Sequence, residues 1–276
     1  MKVISFVNMK GGVGKTTLAV NVADVLSQRH DKRVLLVDVD PQFNATQSLL
    51  SGESYLKLRQ SGSATVYDIF SQNDVPIISA VSGPGITALK KLEDIKPTKI
   101  KTNFDLIPGN LEIYRIEMVA GQGTEMRLKS FLKKNETKYD YAIIDTPPTP
   151  SVFMSSALLA SNFYVVPIKP EPMSRIGIDL LRGVINRISE NNAHNIECAG
   201  VVITMAAEQT LVYKDCLKEL KADATWKSHL IRNNIPQRTV IAREQGHQKL
   251  ISDVGDVDSK RALAGVVKEL MDRTDD

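Results

Sequence analysis

One glycine-rich stretch predicts the architecture of this chain: Lys10-Gly11-Gly12-Val13-Gly14-Lys15-Thr16-Thr17. It follows the phosphate-loop pattern G-x-x-x-x-G-K-S/T, except that Met9 stands where the first glycine is usual. A second lysine, Lys10, precedes the usual one, Lys15. Glycines allow several backbone N–H groups to point at one centre, so we expect a polyphosphate to bind there.

The sequence on both sides of this loop supports that interpretation. Residues 2–8 form an apolar, β-rich run, and residues 17–28 repeat apolar side chains at helical spacing. The loop therefore lies between a strand and a helix, whose positive end adds to the attraction for phosphate. We expect Lys15 to hold the β- and γ-phosphates and the Thr16 hydroxyl to ligate Mg²⁺.

Two further stretches each end a predicted buried strand with carboxylates. Residues 34–42 read VLLVDVDPQ and deliver Asp38 and Asp40, and residues 141–148 read YAIIDTPP and deliver Asp145. Ligands bind at the carboxyl ends of the strands in open parallel sheets. A single such aspartate is often only a helix cap or a turn former, but three beside a phosphate loop favour an NTPase site, in which Asp145 is the natural partner of Mg²⁺.

These motifs resemble those of the ParA/MinD group of deviant Walker ATPases, and in particular the small, Soj-like ParA proteins. The similarity continues at residues 156–160, 164–171, 200–205 and 235–236. It implies an α/β fold of the P-loop NTPase (Rossmann-like) class, in which helices cover both faces of a mostly parallel central sheet. It also implies that residues 1–276 form a single ATPase domain.

The resemblance also assigns roles to individual residues, with ATP and Mg²⁺ as cofactors. In ParA-like ATPases two subunits face each other across two ATP molecules, and the lysine matching Lys10 reaches the phosphates bound by the partner. Asp40 matches the residue that positions the attacking water, and Asp38 its acidic neighbour near Mg²⁺. Met205 and Pro236 are candidates for the base pocket. The alternative for Lys10 is an exposed lysine that only solubilises the loop.

Two residues depart from the family pattern. Phe43 stands where a glycine is usual, and Ser156 stands where an asparagine is common. Neither position touches the phosphates by motif. Phe43 is expected either to alter the loop after Asp40 or to offer an apolar contact at the dimer face.

Composition and length agree with a globular α/β protein. The chain has 276 residues, a net charge of +3 and 42% hydrophobic residues. No apolar run approaches the roughly 20 residues that span a bilayer, and the N-terminus has no signal-peptide pattern, so we expect a cytoplasmic location. Cys198 and Cys216 lack metal-ligand spacing and are predicted to be buried structural thiols. The four histidines are scattered and indicate no metal site.

Strand patterns and helix patterns alternate along the chain, which predicts a parallel sheet with crossover helices. Residues 51–101 are predicted to be loops with short helices, such as one at residues 65–70. Later strands are predicted at residues 104–108, 141–145, 163–168 and 196–205. Later helices are predicted at residues 125–134, 173–189, 211–221 and 259–271.

Basic residues are concentrated in the last third of the chain. Residues 210–250 contain eight basic residues and four acidic ones. Lys214, Lys218 and Lys221 recur at helical spacing and form one cationic stripe. ParA-like proteins use such residues to hold non-specific double-stranded DNA, although a solvated helix face explains the stripe equally well. The candidate DNA contacts are Lys214, Lys218, Lys221, Arg232, Arg238 and Arg243.

The resemblance leaves three functions open. The first is a partition ATPase whose ATP-bound homodimer coats nucleoid DNA and whose hydrolysis is stimulated by a ParB-like centromere-binding protein. The second is a MinD-like ATPase on a membrane surface, which the acidic end at residues 269–276 disfavours, so no membrane partner is expected. The third is a ParA-like ATPase that positions a protein cargo on the nucleoid. Because the chain begins at its first strand, no N-terminal helix-turn-helix domain is expected.

Overall fold

A computed structural model describes residues 1–71, 77–79, 83–85, 90–119, 121, 123–171 and 174–275. Seven strands form the central sheet, in the order β5-β6-β2-β7-β1-β8-β9, and β3 and β4 form a separate two-stranded sheet. The strands are β1 Lys2–Phe6, β2 Val34–Asp38, β3 Ile77–Ser79, β4 Gly83–Gly85, β5 Thr98–Lys101, β6 Phe104–Ile107, β7 Tyr141–Asp145, β8 Phe163–Ile168 and β9 Glu197–Ile203.

The three central strands place the predicted motifs side by side. β7 pairs in parallel with β1 on one side and with β2 on the other, and its last residue, Asp145, pairs with Phe6 and with Asp38. The loop at residues 10–17 follows β1 on the same edge of the sheet. This register therefore brings the glycine-rich loop and the carboxylates of Asp38 and Asp145 to one point.

Helices cover both faces of the sheet, as predicted for this fold class. Those in the described residues are α1 Lys15–Arg29, α2 Asn44–Gln47, α3 Gly52–Gln60, α4 Val66–Phe70, α5 Ile113–Val119, α6 Arg127–Lys134, α7 Val152–Ala160, α8 Ser174–Asn192, α9 Leu211–Ala222, α10 Thr239–Gln245 and α11 Val257–Asp275. A 3₁₀ turn at Thr124–Met126 leads into α6. The core on one face includes α1 and α11, and the core on the other includes α4 to α9.

Alternation along each strand divides the core between the two faces. In β2, Val34 and Leu36 pack with α1 and α11, whereas Leu35 and Val37 pack with α4 to α7. All residues of β2 are buried, which is why its sequence is a continuous apolar run rather than an alternating one. The period-2 geometry of a strand thus lets one apolar stretch hold helices on both sides.

Several element boundaries differ from the sequence prediction. β9 ends at Ile203 because Met205 adopts a left-handed backbone with φ 49°. The predicted helix at residues 125–134 begins as the 3₁₀ turn, and the closing helix α11 is longer at both ends than residues 259–271.

The region at residues 51–101 contains a strand that the sequence prediction missed. β5, at the edge of the sheet, pairs antiparallel with β6. Its sequence, TKIK, alternates charged and neutral side chains and is half-exposed, so it carries little apolar signal. The loops and short helices predicted for residues 51–101 lie partly outside the described residues.

Candidate nucleotide site

The glycine-rich loop turns the chain from β1 into α1 through two left-handed glycines. Gly12 has φ 70° and Gly14, the residue before α1, has φ 78°. A side chain at either position would be strained. Thr204, just after β9, donates a hydrogen bond from its hydroxyl to the Val13 carbonyl at 2.7 Å. The loop is therefore fixed both by its own backbone and by a neighbouring strand.

Lys15 and Thr16 point toward the carboxylates at the centre of the sheet. Lys15 is only 7% exposed, and its Nζ donates a hydrogen bond to the Lys10 carbonyl at 3.2 Å. The Thr16 hydroxyl donates to Asp145 Oδ2 at 2.7 Å. The hydroxyl and the carboxylate expected at a magnesium site are thus in direct contact.

The two aspartates after β2 have different surroundings. Asp38 is fully buried, and its Oδ2 accepts hydrogen bonds from the backbone N–H and the hydroxyl of Thr46 at 2.8 and 2.7 Å. Asp40 is 6% exposed and lines the cavity, and its Oδ1 accepts a bond from the Gln42 N–H at 2.9 Å. Asp38 therefore holds the loop in place, while Asp40 faces the space that a ligand would enter.

Burial controls the protonation of these groups. It raises the pKa of Asp38 to about 7 and raises the pKa of Asp145 well above its ordinary value, with a further increase from the neighbouring negative charge of Asp38. Burial also lowers the pKa of Lys15, although the charges of Asp145 and Asp40 oppose that change. An added cation at this point would favour the ionised carboxylates.

The residues present fit a magnesium ion. Asp145 Oδ1 is buried and lacks a hydrogen-bond partner among the described residues, while its other oxygen contacts Thr16. The described residues contain no group of three or more His, Cys, Asp or Glu side chains arranged as a metal cage. Mg²⁺ is normally held by one or two carboxylates or hydroxyls together with water and substrate phosphates. Thr16, with Asp145 and Asp38 beside it, is such a donor set.

Two adjoining cavities extend from the loop. The first has a volume of about 550 Å³ and is lined by residues 11–17 together with Asp40, Gln47 and Gln245. The second, of about 210 Å³, is more apolar and is lined by Gly14, Met205, Ile235 and Pro236. The structure thus places the two candidate base-pocket residues, Met205 and Pro236, beside the loop.

The environment of Lys10 is different from that of Lys15. Its side chain is 47% exposed, and its ammonium group forms an ion pair with Glu171 of the same chain, which also pairs with Lys169. These two lysines lower the pKa of Glu171 to about 2. Lys10 thus lies at the surface of the site, outside the cluster of Lys15 with Asp40 and Asp145.

Sequence reasoning missed Gln245 as a member of the site. Gln245, at the end of α10, accepts a hydrogen bond from the Thr17 hydroxyl at 3.0 Å and donates one to the Ser48 hydroxyl at 2.8 Å. It thereby joins α10 to the start of α1 and to the end of α2. A single uncharged glutamine far along the chain gives no motif, so the sequence offered no signal for it.

The two residues that depart from the family pattern, Phe43 and Ser156, lie in different parts of the structure. Phe43 is half-buried beside the Asp38 loop and stacks on Tyr55. Ser156 is fully buried on α7, and its hydroxyl has no hydrogen-bond partner among the described residues.

The candidate DNA contacts do not form one group. Lys214, Lys218 and Lys221 are exposed on α9 and take part in no ion pair within the described residues, and Arg232 is also exposed. Arg238 pairs with Asp256, and Arg243 pairs with Glu244. The positive charge predicted from composition is therefore offset at the two arginines and remains on the α9 face.

The prediction of two buried cysteines is confirmed for one of them only. Cys216 is buried as predicted, but the prediction for Cys198 was wrong, because that residue is partly exposed. Within the described residues, every helix is too short or too polar to cross a membrane.

Comparisons with known proteins agree with the fold and the loop. A protein-family model described as an AAA domain matches residues 1–198. The sporulation initiation inhibitor protein Soj of Bacillus subtilis is 32% identical over 252 residues, covering 91% of this chain and 90% of Soj. The chromosome partitioning protein ParA of Caulobacter vibrioides is 28% identical over 226 residues, covering 80% of this chain and 76% of ParA.

Solved structures show the same fold over nearly the whole chain. A plasmid partition protein from Borrelia burgdorferi bound to AMPPNP has a TM-score of 0.75 at 22% identity and covers 99% of both chains. A McdA variant from Cyanothece in complex with ATP has a TM-score of 0.78 at 20% identity and covers 98% of this chain and 96% of that one. Taken with the match to Soj and the phosphate loop, these findings show that the chain belongs to the ParA/Soj family of P-loop ATPases.

Proposed function

We propose that this protein is a DNA-partition ATPase that binds ATP with Mg²⁺, pairs with a second copy and then binds double-stranded DNA without sequence preference. The observation that carries the proposal is a cluster at the ends of three adjacent strands, in which Lys15, Thr16 and Asp40 line one cavity and Asp145 contacts the Thr16 hydroxyl. The relatives named as partition proteins support the cellular role. Hydrolysis would be stimulated by a ParB-like adaptor, and the protein would be cytoplasmic and associated with the nucleoid.

The residues of the site have separable roles in this proposal. The N–H groups of residues 11–17 and the Lys15 ammonium bind the phosphates, and Met205 and Pro236 contact the base. Thr16, with Asp145 and Asp38 beside it, holds Mg²⁺, which neutralises phosphate charge when bound. Asp40 faces the cavity, where its carboxylate orients a water for attack on the terminal phosphate. The ATP analogue in the related Borrelia structure supports the nucleotide assignment.

Lys10 has a separate role, which requires a second copy. A cation beside the transferring phosphoryl group stabilises the transition state, and a cation donated by a partner makes hydrolysis depend on pairing. The partial exposure of Lys10 is consistent with a side chain that reaches across an interface. In that arrangement Lys10 leaves Glu171 and contacts the phosphates held by its partner.

The DNA-binding face is assigned to α9. Lys214, Lys218 and Lys221 are exposed there without an ion-pair partner among the described residues, which favours phosphate contacts. Arg232 can extend this face, while Arg238 and Arg243 would first have to leave their acidic partners. Binding through phosphates depends strongly on salt concentration.

The most informative test is binding to a random-sequence DNA duplex, measured by fluorescence anisotropy at several salt concentrations with ATP, with ADP and without nucleotide. We expect binding only with ATP, and Lys218→Glu should weaken it and lower the salt slope by about one or more. Lys133→Glu, which changes an exposed lysine on α6, is the matched control. Binding that ignores ATP, or equal effects of the two variants, would refute the DNA assignment.

A ParA-like ATPase that positions a protein cargo is a second candidate, supported by the fold shared with McdA. The nucleotide cycle and the DNA-binding face would be the same in both cases. The two candidates differ in the adaptor, so affinity capture with the ATP-bound form separates them by whether a centromere-binding protein or another adaptor is retained.

A further inference from the structure

An aromatic pair lies next to the two aspartates after β2. Phe43 stacks on Tyr55 of α3 with ring centroids 5.3 Å apart and an interplanar angle of 17°. The Tyr55 hydroxyl donates a hydrogen bond to the Gly109 carbonyl at 3.0 Å. The pair therefore connects the loop after β2 with the loop after β6.

The backbone of Phe43 is in a conformation that favours glycine. Its φ and ψ are 43° and 40°, in the left-handed region, and its N–H donates to the Asp40 carbonyl at 2.8 Å. This turn carries the chain from Asp40 into α2. A residue with a side chain is disfavoured here, so a contact of that side chain must offset the backbone penalty.

Gly109 provides the space for that contact. A Cβ atom on Gly109 would lie 2.4 Å from the Cβ of Phe43 and 2.9 Å from Asp38 Oδ2. The Gly109 N–H donates to the Thr46 hydroxyl at 2.7 Å, and that hydroxyl donates to Asp38 Oδ2 at 2.7 Å. Phe43, Gly109 and Asp38 are thus closely packed against one another. At this contact the glycine is residue 109, in the loop after β6, and the residue with a side chain is Phe43, in the loop after β2.

We propose that Phe43 is a positioning residue whose stack on Tyr55 holds residues 40–46 in the conformation that presents Asp40 to the nucleotide cavity. The inference rests on the proposed ATPase function, in which Asp40 must face the bound phosphates. Phe43 touches neither the nucleotide nor Mg²⁺ in this proposal. It acts by limiting the conformations of the loop that carries Asp40.

Three substitutions separate the free-energy cost of the left-handed backbone at residue 43 from the effect of the stack on Tyr55. Phe43→Tyr keeps the cost and the stack, and Phe43→Gly removes the cost and the stack. Phe43→Ala keeps the cost but removes the stack. The expected order of kcat is wild type and Phe43→Tyr highest, then Phe43→Gly, then Phe43→Ala, with the last reduced about ten-fold. The KM for ATP and the Tm should stay close to wild type, because the phosphate loop and the core are unchanged.

Substitutions of Tyr55 remove the other member of the stack and serve as the background in which Phe43 is changed again. In Tyr55→Leu the stack is absent, so Phe43→Gly should no longer lower kcat and should restore part of what Tyr55→Leu loses. Tyr55→Phe keeps the ring and loses only the hydrogen bond to Gly109, so its effect on kcat should be small. A merely structural role would instead lower Tm and kcat together in Phe43→Ala and Tyr55→Leu, two variants that lose the stack.

The outcomes separate this inference from the proposed function. If Phe43→Gly and Phe43→Ala have equal kcat, or if Phe43→Gly lowers kcat as much in the Tyr55→Leu background as in the otherwise wild-type protein, the positioning role is wrong. An increase in kcat when Phe43→Gly is added to Tyr55→Leu would support the positioning role. The proposed function itself fails if the wild-type protein does not hydrolyse ATP or if Asp40→Ala hydrolyses it at the normal rate.

Discussion

Lys10 and Lys15 show how two lysines of one loop acquire different chemistry from their surroundings. Lys15 is buried against Asp40 and Asp145, whereas Lys10 is at the surface and pairs with Glu171. Phosphate binding within the chain needs a buried lysine such as Lys15, and donation to a partner needs a lysine at the surface such as Lys10. The ion pair with Glu171 therefore competes with the role that we propose for Lys10.

Glu171→Gln should favour the ATP-bound dimer, because it removes this competing partner. Each of the two copies gives up one Lys10–Glu171 pair when the dimer forms. An exposed ion pair contributes at most about 1 kcal/mol, so the two together allow the dimer dissociation constant to fall by no more than about 30-fold. Sedimentation velocity with ATP, in an Asp40→Ala background that slows hydrolysis, measures the change. Lys169→Gln is the control, since it removes the other cation beside Glu171 and leaves the Lys10 pair. Weaker pairing in Glu171→Gln would contradict this account.

The phosphate loop and the strand-end aspartates could be predicted from the sequence, because each pattern depends only on residues that are neighbours along the chain. The buried runs of β2 and β7 predict strands, and parallel pairing then brings their ends together. The contacts of Lys10 with Glu171 and of Phe43 with Tyr55 depend on the folded chain, since Glu171 lies 161 positions from Lys10. The left-handed backbone of Met205, which ends β9, could not be predicted from the sequence either. Glycine is the residue that usually adopts this conformation, and position 205 is a methionine.

The amino-terminal ends of β1, β2 and β7 are joined through Asp140. Its carboxylate accepts hydrogen bonds from the Arg33 backbone N–H and guanidinium, both at 2.8 Å, and its carbonyl accepts one from the Lys2 N–H. The hydrogen bonds from Arg33 lower the pKa of Asp140 to about 2. This link fixes the ends of the strands opposite the nucleotide site.

Asp140→Asn should lower the free energy of unfolding at pH 7 by about 1 kcal/mol, a value discounted for solvent screening because the side chain is 35% exposed. Because the folded-state pKa is depressed, this stabilisation is present above about pH 4 and is lost as the pH falls toward 2. Urea unfolding of the two proteins at several pH values measures it. Glu53→Gln, which removes an exposed pair with Lys57 on α3, should have little effect at any pH. A difference for Asp140→Asn that persists near pH 2 would contradict the assignment.

The proposed function requires contributions from parts of the chain that are distant in sequence. The strand ends supply the phosphate loop and the aspartates, α10 contacts both through Gln245, and α9 carries exposed lysines. The fold was predictable at this level, because alternating strand and helix patterns and one phosphate loop indicate few architectures. In the proposed mechanism hydrolysis also depends on the pairing of two copies, because the phosphates that Lys10 contacts lie in the other subunit.

Mixing two inactive variants tests that dependence most directly. Lys10→Ala keeps Asp40 but offers no lysine, and Asp40→Ala offers its lysine but cannot orient water; both retain Lys15 and Thr16. With random pairing, the mixture should recover about a quarter of wild-type ATPase activity, because half of the dimers contain one complete site out of two. If the equimolar mixture is no more active than the separate variants, Lys10 does not act across the interface.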